Sequence, residues 1–445
     1  MRRSVVRIAH AAFIGGVATL GATSATAQEF VYRVIDLGAR PDFPSRSTQA
    51  INEAGQIVGY DVHTNGRLLR AFVWDNDGWT DFGDGEDSRA FDINDLGQIV
   101  GDSDYTAALW ENGAETLLAD PRPFWSQAWS INNHGLIVGH HRVDALNDYD
   151  RAAIFDVQGG VQLLNVLGNN YDSYVYASNN GGSFVGKAEV NFQGQSIGIG
   201  LLNGTPRMLP PLGASECAVA VAVNEQNVSC GFTTYGACWP SRAAMWDEMG
   251  VGRILSAIGA SSGAKDLNDH LEVVGWATRT GGATVATLWR NGVVFELTEL
   301  LADGETPPPL EVATGVNNAG LISVDEATGG ASLLVPEPSP RLSLDSIDPA
   351  RAGTANTIVV RNATPGAIVY LGLGTTEGAT SIPGCPGLFA GVDPVRLTLR
   401  AVADSNGAAS FSFVVPSFMS DATGIAQAIE PGSCRVSPVG HIYFE

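Results

Sequence analysis

The chain has 445 residues, enough for two domains and a sizeable core, and it carries 25 Lys and Arg against 47 Asp and Glu, a formal charge of -22. Such an excess of acid repels phosphate backbones and anionic lipid surfaces, which rules against nucleic acid and membrane surfaces as partners. Apolar content of 44% is that of a globular protein, so the charge does not signal disorder.

The first residues read as an export signal. Arg2, Arg3 and Arg7 precede an apolar run from Ala11 to Ala22, and Ala25-Thr26-Ala27 is an Ala-x-Ala cleavage site. Residues 1–27 are therefore expected to be a signal peptide, with a mature chain from Gln28. No later stretch has the apolar length of a membrane-spanning helix. A secreted or cell-surface protein is expected.

Next comes a strand-like segment, residues 31–37, and then a phrase close to A-x-x-I-N-x-x-G-x-I-V-G that recurs seven times. It reads TQAINEAGQIVG, AFDINDLGQIVG and AWSINNHGLIVG in the first three copies, with weaker copies after them. The asparagines fall at Asn52, Asn94, Asn132, Asn179, Asn224, Asn268 and Asn317, in steps of 42, 38, 47, 45, 44 and 49 residues. Within each copy an apolar strand meets a turn and a second apolar strand follows. Asn at the first position of a type I turn bonds its own backbone, and Gly three residues later takes the left-handed conformation. A second hairpin follows, marked by an apolar run ending in an aromatic: Trp74, Trp110, Phe155, Trp246 and Trp289 recur in register. Core packing between neighbouring units explains these aromatics fully.

Two hairpins per repeat make four strands, the content of a propeller blade. The seventh copy is one strand short. The segment 31–37 resembles the outer strand of the first repeat, Trp79 to Gly83, and is expected to complete the last blade. The reading is an all-β chain: a seven-bladed β-propeller over residues 28–335, closed by its N-terminal strand.

The I-N-x-x-G-x-I-V-G phrase followed by A-F-x-W resembles the HAF-type extracellular repeat of exported bacterial proteins, over about residues 30–335. The chain departs from it at Leu201, where the aromatic is missing, at Asn227 and Leu271, which replace the turn glycine, and at Val324, which replaces the closing glycine. The resemblance implies no catalytic residue.

Past the repeats, residues 336–340 read as a proline-rich, stiff linker. The sequence there is similar to the V-P-E-P motif of surface-sorting tails, but the apolar span and basic end of such tails are missing, and residues 341–445 follow instead. Seven short strand candidates, from Leu342–Ile347 to His441–Phe444, suggest a small immunoglobulin-like β-sandwich. Cys385 and Cys434 are expected to pair, a crosslink worth ~3–4 kcal/mol for a loop of that size. A Cys217–Cys238 disulfide and a buried free Cys230 are expected in the fifth repeat.

Function is expected on the variable-loop face, opposite the tight turns. Phe124, Trp125, Tyr149, Tyr171, Tyr174, Trp239 and Trp276 are the ligand-binding candidates there, because exposed aromatics stack on sugars and peptides. His141, Asp144 and Asp148, beside His140 and Asp150, are the metal candidates, the alternative being a solvated polar loop. There is no nucleophile elbow, P-loop, dinucleotide fingerprint or HExxH, so no catalytic residue and no cofactor are assigned. The expected function is a non-enzymatic binding or surface-structural role, monomeric, with a polysaccharide or an extracellular protein as partner. The alternative is a secreted carbohydrate-active enzyme, hydrolase or lyase, using that face or the central channel.

Overall fold

The computed structural model describes residues 30–444, apart from 65, 67, 77, 84–86, 121–124, 143–148, 167–170, 192–193, 214–216, 235–240, 303, 339–340, 383–384, 386–388 and 393. The expected signal peptide, residues 1–27, lies outside the described residues. The described chain is all-β and built mainly from four-stranded antiparallel sheets.

Each copy of the repeated phrase forms one sheet. The second, for example, runs Ser88–Ile93, Ile99–Ser103, Thr106–Glu111 and Ala114–Leu117, paired in sequence order. The seventh has three strands of its own, Leu310–Val316, Ile322–Glu326 and Ala331–Pro338. Its fourth is Phe30–Asp36, antiparallel to Ala331–Pro338 with Arg33 opposite Val335. The sequence expectation for residues 31–37 is met strand for strand.

The first strand of each sheet packs on the first strand of the next, and that of the seventh packs on that of the first. The I-V pair of the phrase serves both neighbours. Ile57 packs with Ala331 and Leu333 of the seventh sheet, while its neighbour Val58 packs with Ala90 and Ile93 of the second. Adjacent residues of a strand point to opposite faces, so a sheet covered on both faces needs an unbroken apolar run. Full burial of each such side chain contributes about 1.5–3 kcal/mol. The recurring aromatics seal the same joints: Trp110 packs on Val58, Ala71 and Val73, and Phe155 on Val100, Ala107 and Leu109. Trp74, Trp246 and Trp289 are likewise buried.

The phrase asparagine does more than shape its turn. In every copy its Oδ1 accepts from the backbone four residues on, as from Gln98 N at 3.0 Å for Asn94. Its Nδ2 donates to the carbonyl of the next copy's asparagine. These bonds run from Asn52 through all seven copies and return from Asn317 to the Asn52 carbonyl, at 2.7–3.2 Å. The following residues form a second closed circuit, each backbone N–H donating to the next side chain: Glu53, Asp95, Asn133, Asn180, Glu225, Asp269 and Asn318.

The segment expected as a linker, 336–340, starts inside a strand. Pro336 and Pro338 sit opposite Tyr32 and Phe30, beyond the point where Ile322–Glu326 pairs on the other side. Neither proline's missing N–H is needed there. The C-terminal strands match the seven sequence candidates to within a few residues. A hairpin, Glu377–Ser381 with Phe389–Val392, is additional. These strands are also joined to the repeats. Gly440–Phe444 pairs with Val293–Glu296, the outer strand of the sixth sheet, which makes one continuous nine-stranded sheet. Leu344, Ile358, Phe411 and Leu371 share one core with Val293 and Phe295 of that sheet.

Candidate functional site

One irregularity recurs in the first strand of every sheet. The residue three before the asparagine is a β-bulge, skipped in the ladder: Gln49, Phe91, Trp129, Tyr176, Val221, Lys265 and, in the seventh sheet, Thr314. A bulge re-aims the side chain it carries. All seven of these side chains line one space, made of two lobes of about 650 and 320 Å³ that meet at this level. The smaller lobe faces the asparagine turns. The larger opens towards the starts of the first strands, where the variable loops connect.

The closing glycine of I-V-G is the counterpart of the bulge. A Cβ at Gly101 would stand 1.8 Å from the Arg89 carbonyl oxygen, and one at Gly139 1.9 Å from that of Gln127. The bulge brings that carbonyl against the partner strand, and only glycine leaves room. In the seventh copy, with Val324 in place of glycine, the first strand has a second register shift that provides the space.

Three consecutive sheets put aromatics on this wall. Phe91 and Trp129 stack with ring centres 4.2 Å apart, and Tyr176 meets Trp129 edge-on at 5.7 Å. Trp129 Nε1 donates to His140 Nδ1 at 3.0 Å, which fixes the indole. Burial holds His140 down at about 4, so it is a neutral acceptor at neutral pH. Tyr174 stacks on Tyr176 at 5.9 Å, and its hydroxyl donates to Asp150 Oδ2 at 2.9 Å. Farther out, Arg89 links the Phe91 ring to that of Tyr105, which stacks on Trp125 at 5.3 Å. Trp125 is 54% exposed.

Lys265, Gln49, Val221 and Thr314 complete the level, and Trp276, Glu311 and Asp325 line the larger lobe. Trp276 reaches it because its cross-strand partner is Gly263; a Cβ there would meet the indole nitrogen at 2.8 Å. Asp325 accepts from Thr48 N at 2.9 Å and Thr48 Oγ1 at 2.7 Å, and burial pushes it up to about 6. Crowding by the walls lowers the Lys265 pKa against the opposing pull of Asp325, although cavity solvent reaches the side chain. Two further carboxylates are structural. Asp92 binds Ile93 N and Ile131 N and is pushed up by burial to about 6; Asp266 binds Leu267 N and Val316 N and is pushed up to about 7. Each thereby ties its sheet to the next.

Of the aromatic candidates from sequence, Trp125, Tyr174 and Trp276 belong to this wall or its continuation. Tyr149 and Tyr171 are half-buried and brought together by Arg151, which lies over the Tyr149 ring and donates to the Tyr171 carbonyl. Phe124 and Trp239 lie outside the described residues, as do Asp144 and Asp148. His141 is half-buried, and no group of three or more metal-ligating side chains occurs among the described residues. Cys385 and Cys434 form the expected disulfide. Cys230 is buried and unbonded, packed where five of the other copies carry valine, and burial raises its thiol well above the usual range. Cys217 is buried at the start of its strand, where its Sγ accepts from Ser196 N at 3.5 Å; its expected partner Cys238 lies outside the described residues. Sequence reasoning missed Phe91, Trp129, Tyr176 and Lys265. The available signal was their variability at one fixed place in an otherwise repetitive phrase.

These features define an all-β repeat protein with a cavity enclosed by the first strands of seven sheets. No family model and no curated protein matches the chain. Among solved structures it is similar to Kuenenia stuttgartiensis hydrazine synthase, at 10% identity over 91% of this chain and 61% of that one, with a TM-score of 0.30. It is also similar to a tetra-tandem repeat in the extending region of a large adhesion protein, at 13% identity over 92% and 93%, with a TM-score of 0.15. The chain thus spans under two thirds, 61%, of the hydrazine synthase chain.

Proposed function

We propose that the seven sheets are the blades of a seven-bladed β-propeller of the exported HAF-repeat kind, with the C-terminal strands as an immunoglobulin-like sandwich. We further propose that the protein binds a saccharide chain outside the cytoplasm without turning it over. The closed asparagine circuit and the cyclic packing of first strands support the propeller reading. The Arg-rich start, apolar run and Ala-x-Ala site support export.

The observation that carries the binding reading is the placing of Phe91, Trp129 and Tyr176 at the same bulge of three consecutive sheets. In this bank Phe91 is buried against Trp129, and the half-buried Trp129 and Tyr176 offer apolar surface to the C–H faces of sugars, with Lys265, Gln49 and Thr314 at the same level to meet hydroxyls. The larger lobe opens on the side of the variable loops, in line with recognition on that face.

The test is calorimetry of the purified protein against a panel of neutral oligosaccharides, with released sugar assayed in parallel. Binding without product is expected, and W129A should weaken it by at least ~10-fold, the loss of one stacking anchor. Unchanged affinity in W129A, or no binding across the panel, would remove the basis of this reading. Released sugar would make the protein an enzyme.

A further inference from the structure

The chain contains two lysines, Lys187 and Lys265. Their surroundings differ. Lys187 Nζ lies 4.9 Å from the Tyr174 ring centre and 3.9 Å from Glu189. Lys265 stands on a bulge in the lining of both lobes, level with Phe91, Trp129 and Tyr176. An ammonium carries three donors, yet among the described residues no group accepts a hydrogen bond from Lys265 Nζ and no carboxylate is within ion-pair distance. Many of the chain's arginines, by contrast, are held by carboxylates, as Arg89 is by Asp102 at 2.9 Å and Arg290 by Glu272 at 2.7 Å. The Lys265 amine is thus presented to whatever occupies the cavity. Partial desolvation by the surrounding walls favours its neutral, nucleophilic form, and its lowered pKa agrees with this. The carboxylate that acts on it electrostatically, Asp325, lines the same lobe and is anchored by two bonds from Thr48 to Oδ1.

We propose that Lys265 is a covalent capture site, forming a reversible imine with the aldehyde of a ligand held in this cavity. This rests on reading the cavity as a ligand site; the open-chain reducing end of a saccharide carries the required group. The neutral amine attacks the carbonyl carbon, its lone pair forming the C–N bond while one proton passes from nitrogen to the carbonyl oxygen. The carbinolamine then loses that oxygen as water. The carboxyl of Asp325 supplies the proton to the departing hydroxyl, and its carboxylate recovers one from nitrogen. Amine and aldehyde give imine and water, with no oxidant or reductant consumed.

The test treats the whole protein with glyceraldehyde and cyanoborohydride, which reduces the imine to a stable amine, and maps the adduct by peptide mass spectrometry. Lys187 is the internal reference. Lys265 is expected to be modified at least ~5-fold faster than Lys187, and D325N to slow Lys265 while leaving the Lys187 rate unchanged. Equal or slower modification of Lys265 overturns the proposal, and an unchanged rate in D325N overturns the proton-transfer role of Asp325. Calorimetric oligosaccharide binding without preferential adduct formation at Lys265 would sink the imine and leave the binding reading standing. Preferential adduct formation without oligosaccharide binding would do the reverse.

Discussion

Replacing Gly139 by alanine tests the coupling between the closing glycine and the aromatic wall. The new methyl carbon would stand 1.9 Å from the Gln127 carbonyl oxygen and about as close as 3.0 Å to its carbon. Normal contact between carbon and oxygen is over ~3 Å, so the strands must separate by about an ångström or the bulge at Trp129 must be undone. Separation strains two ladders of a sheet packed on both faces, and overpacking of this kind costs about 2–3 kcal/mol, a fall in Tm of roughly 5 °C. Undoing the bulge would turn Trp129 away from the cavity and from His140. G139A should therefore lower both Tm and oligosaccharide affinity, while the reverse change at the seventh copy, V324G, should cost less, because a second register shift already makes room there. Thermal unfolding by circular dichroism and calorimetric titration report the two effects. A G139A protein with unaltered Tm would refute the claim that the bulge imposes the glycine.

Two other outcomes follow from backbone conformation and buried charge. Leu271 takes φ +60° at the position where five copies carry glycine, so L271G should gain ~0.5–1 kcal/mol from relieved left-handed strain, less glycine's own entropy, seen as a higher Tm. Burial raises Asp92 and Asp325 to about 6, Asp266 to about 7 and Glu299 to about 8. A carboxyl raised on folding contributes stability that is fully present below its unfolded value and lost as pH rises through the folded one. Tm should therefore increase as pH falls from 8 to 5, and D266N should flatten the upper part of that profile; a Tm that falls over this range would contradict the burial argument.

The repeat was legible because each copy states its structure locally. The asparagine turn, the apolar I-V pair and the recurring tryptophan are short-range signals, and counting them exposed the missing strand at residues 31–37. The cavity was not legible, because a bulge does not show in the alternation of a strand only six or seven residues long. Phe91, Trp129 and Tyr176 look like ordinary strand residues until the ladder is seen to skip them. Tyr174 and Trp276 were within reach, since both sit beside variable loops. The join between Val293–Glu296 and Gly440–Phe444 rests on two opposed pairs, Val293 with Ile442 and Val294 with His441, and nothing in either segment names the other.

The pairing of Phe30–Asp36 with Ala331–Pro338 also bears on how the chain is made. The two segments are 304 residues apart at Arg33 and Glu337. Six of the sheets are assembled from consecutive hairpins, each complete within a few dozen residues, and can form one after another as the polypeptide emerges. The first strand to appear has no partner until nearly all the repeats have been delivered. Closing so long a loop adds little thermodynamic cost, since loop entropy grows only with the logarithm of length, but it postpones the last seam. Until then Tyr32, fully buried in the finished protein, stays exposed on a waiting strand. This early strand thus waits for the seventh repeat, and a chain truncated before residue 331 would be left with an unsealed edge.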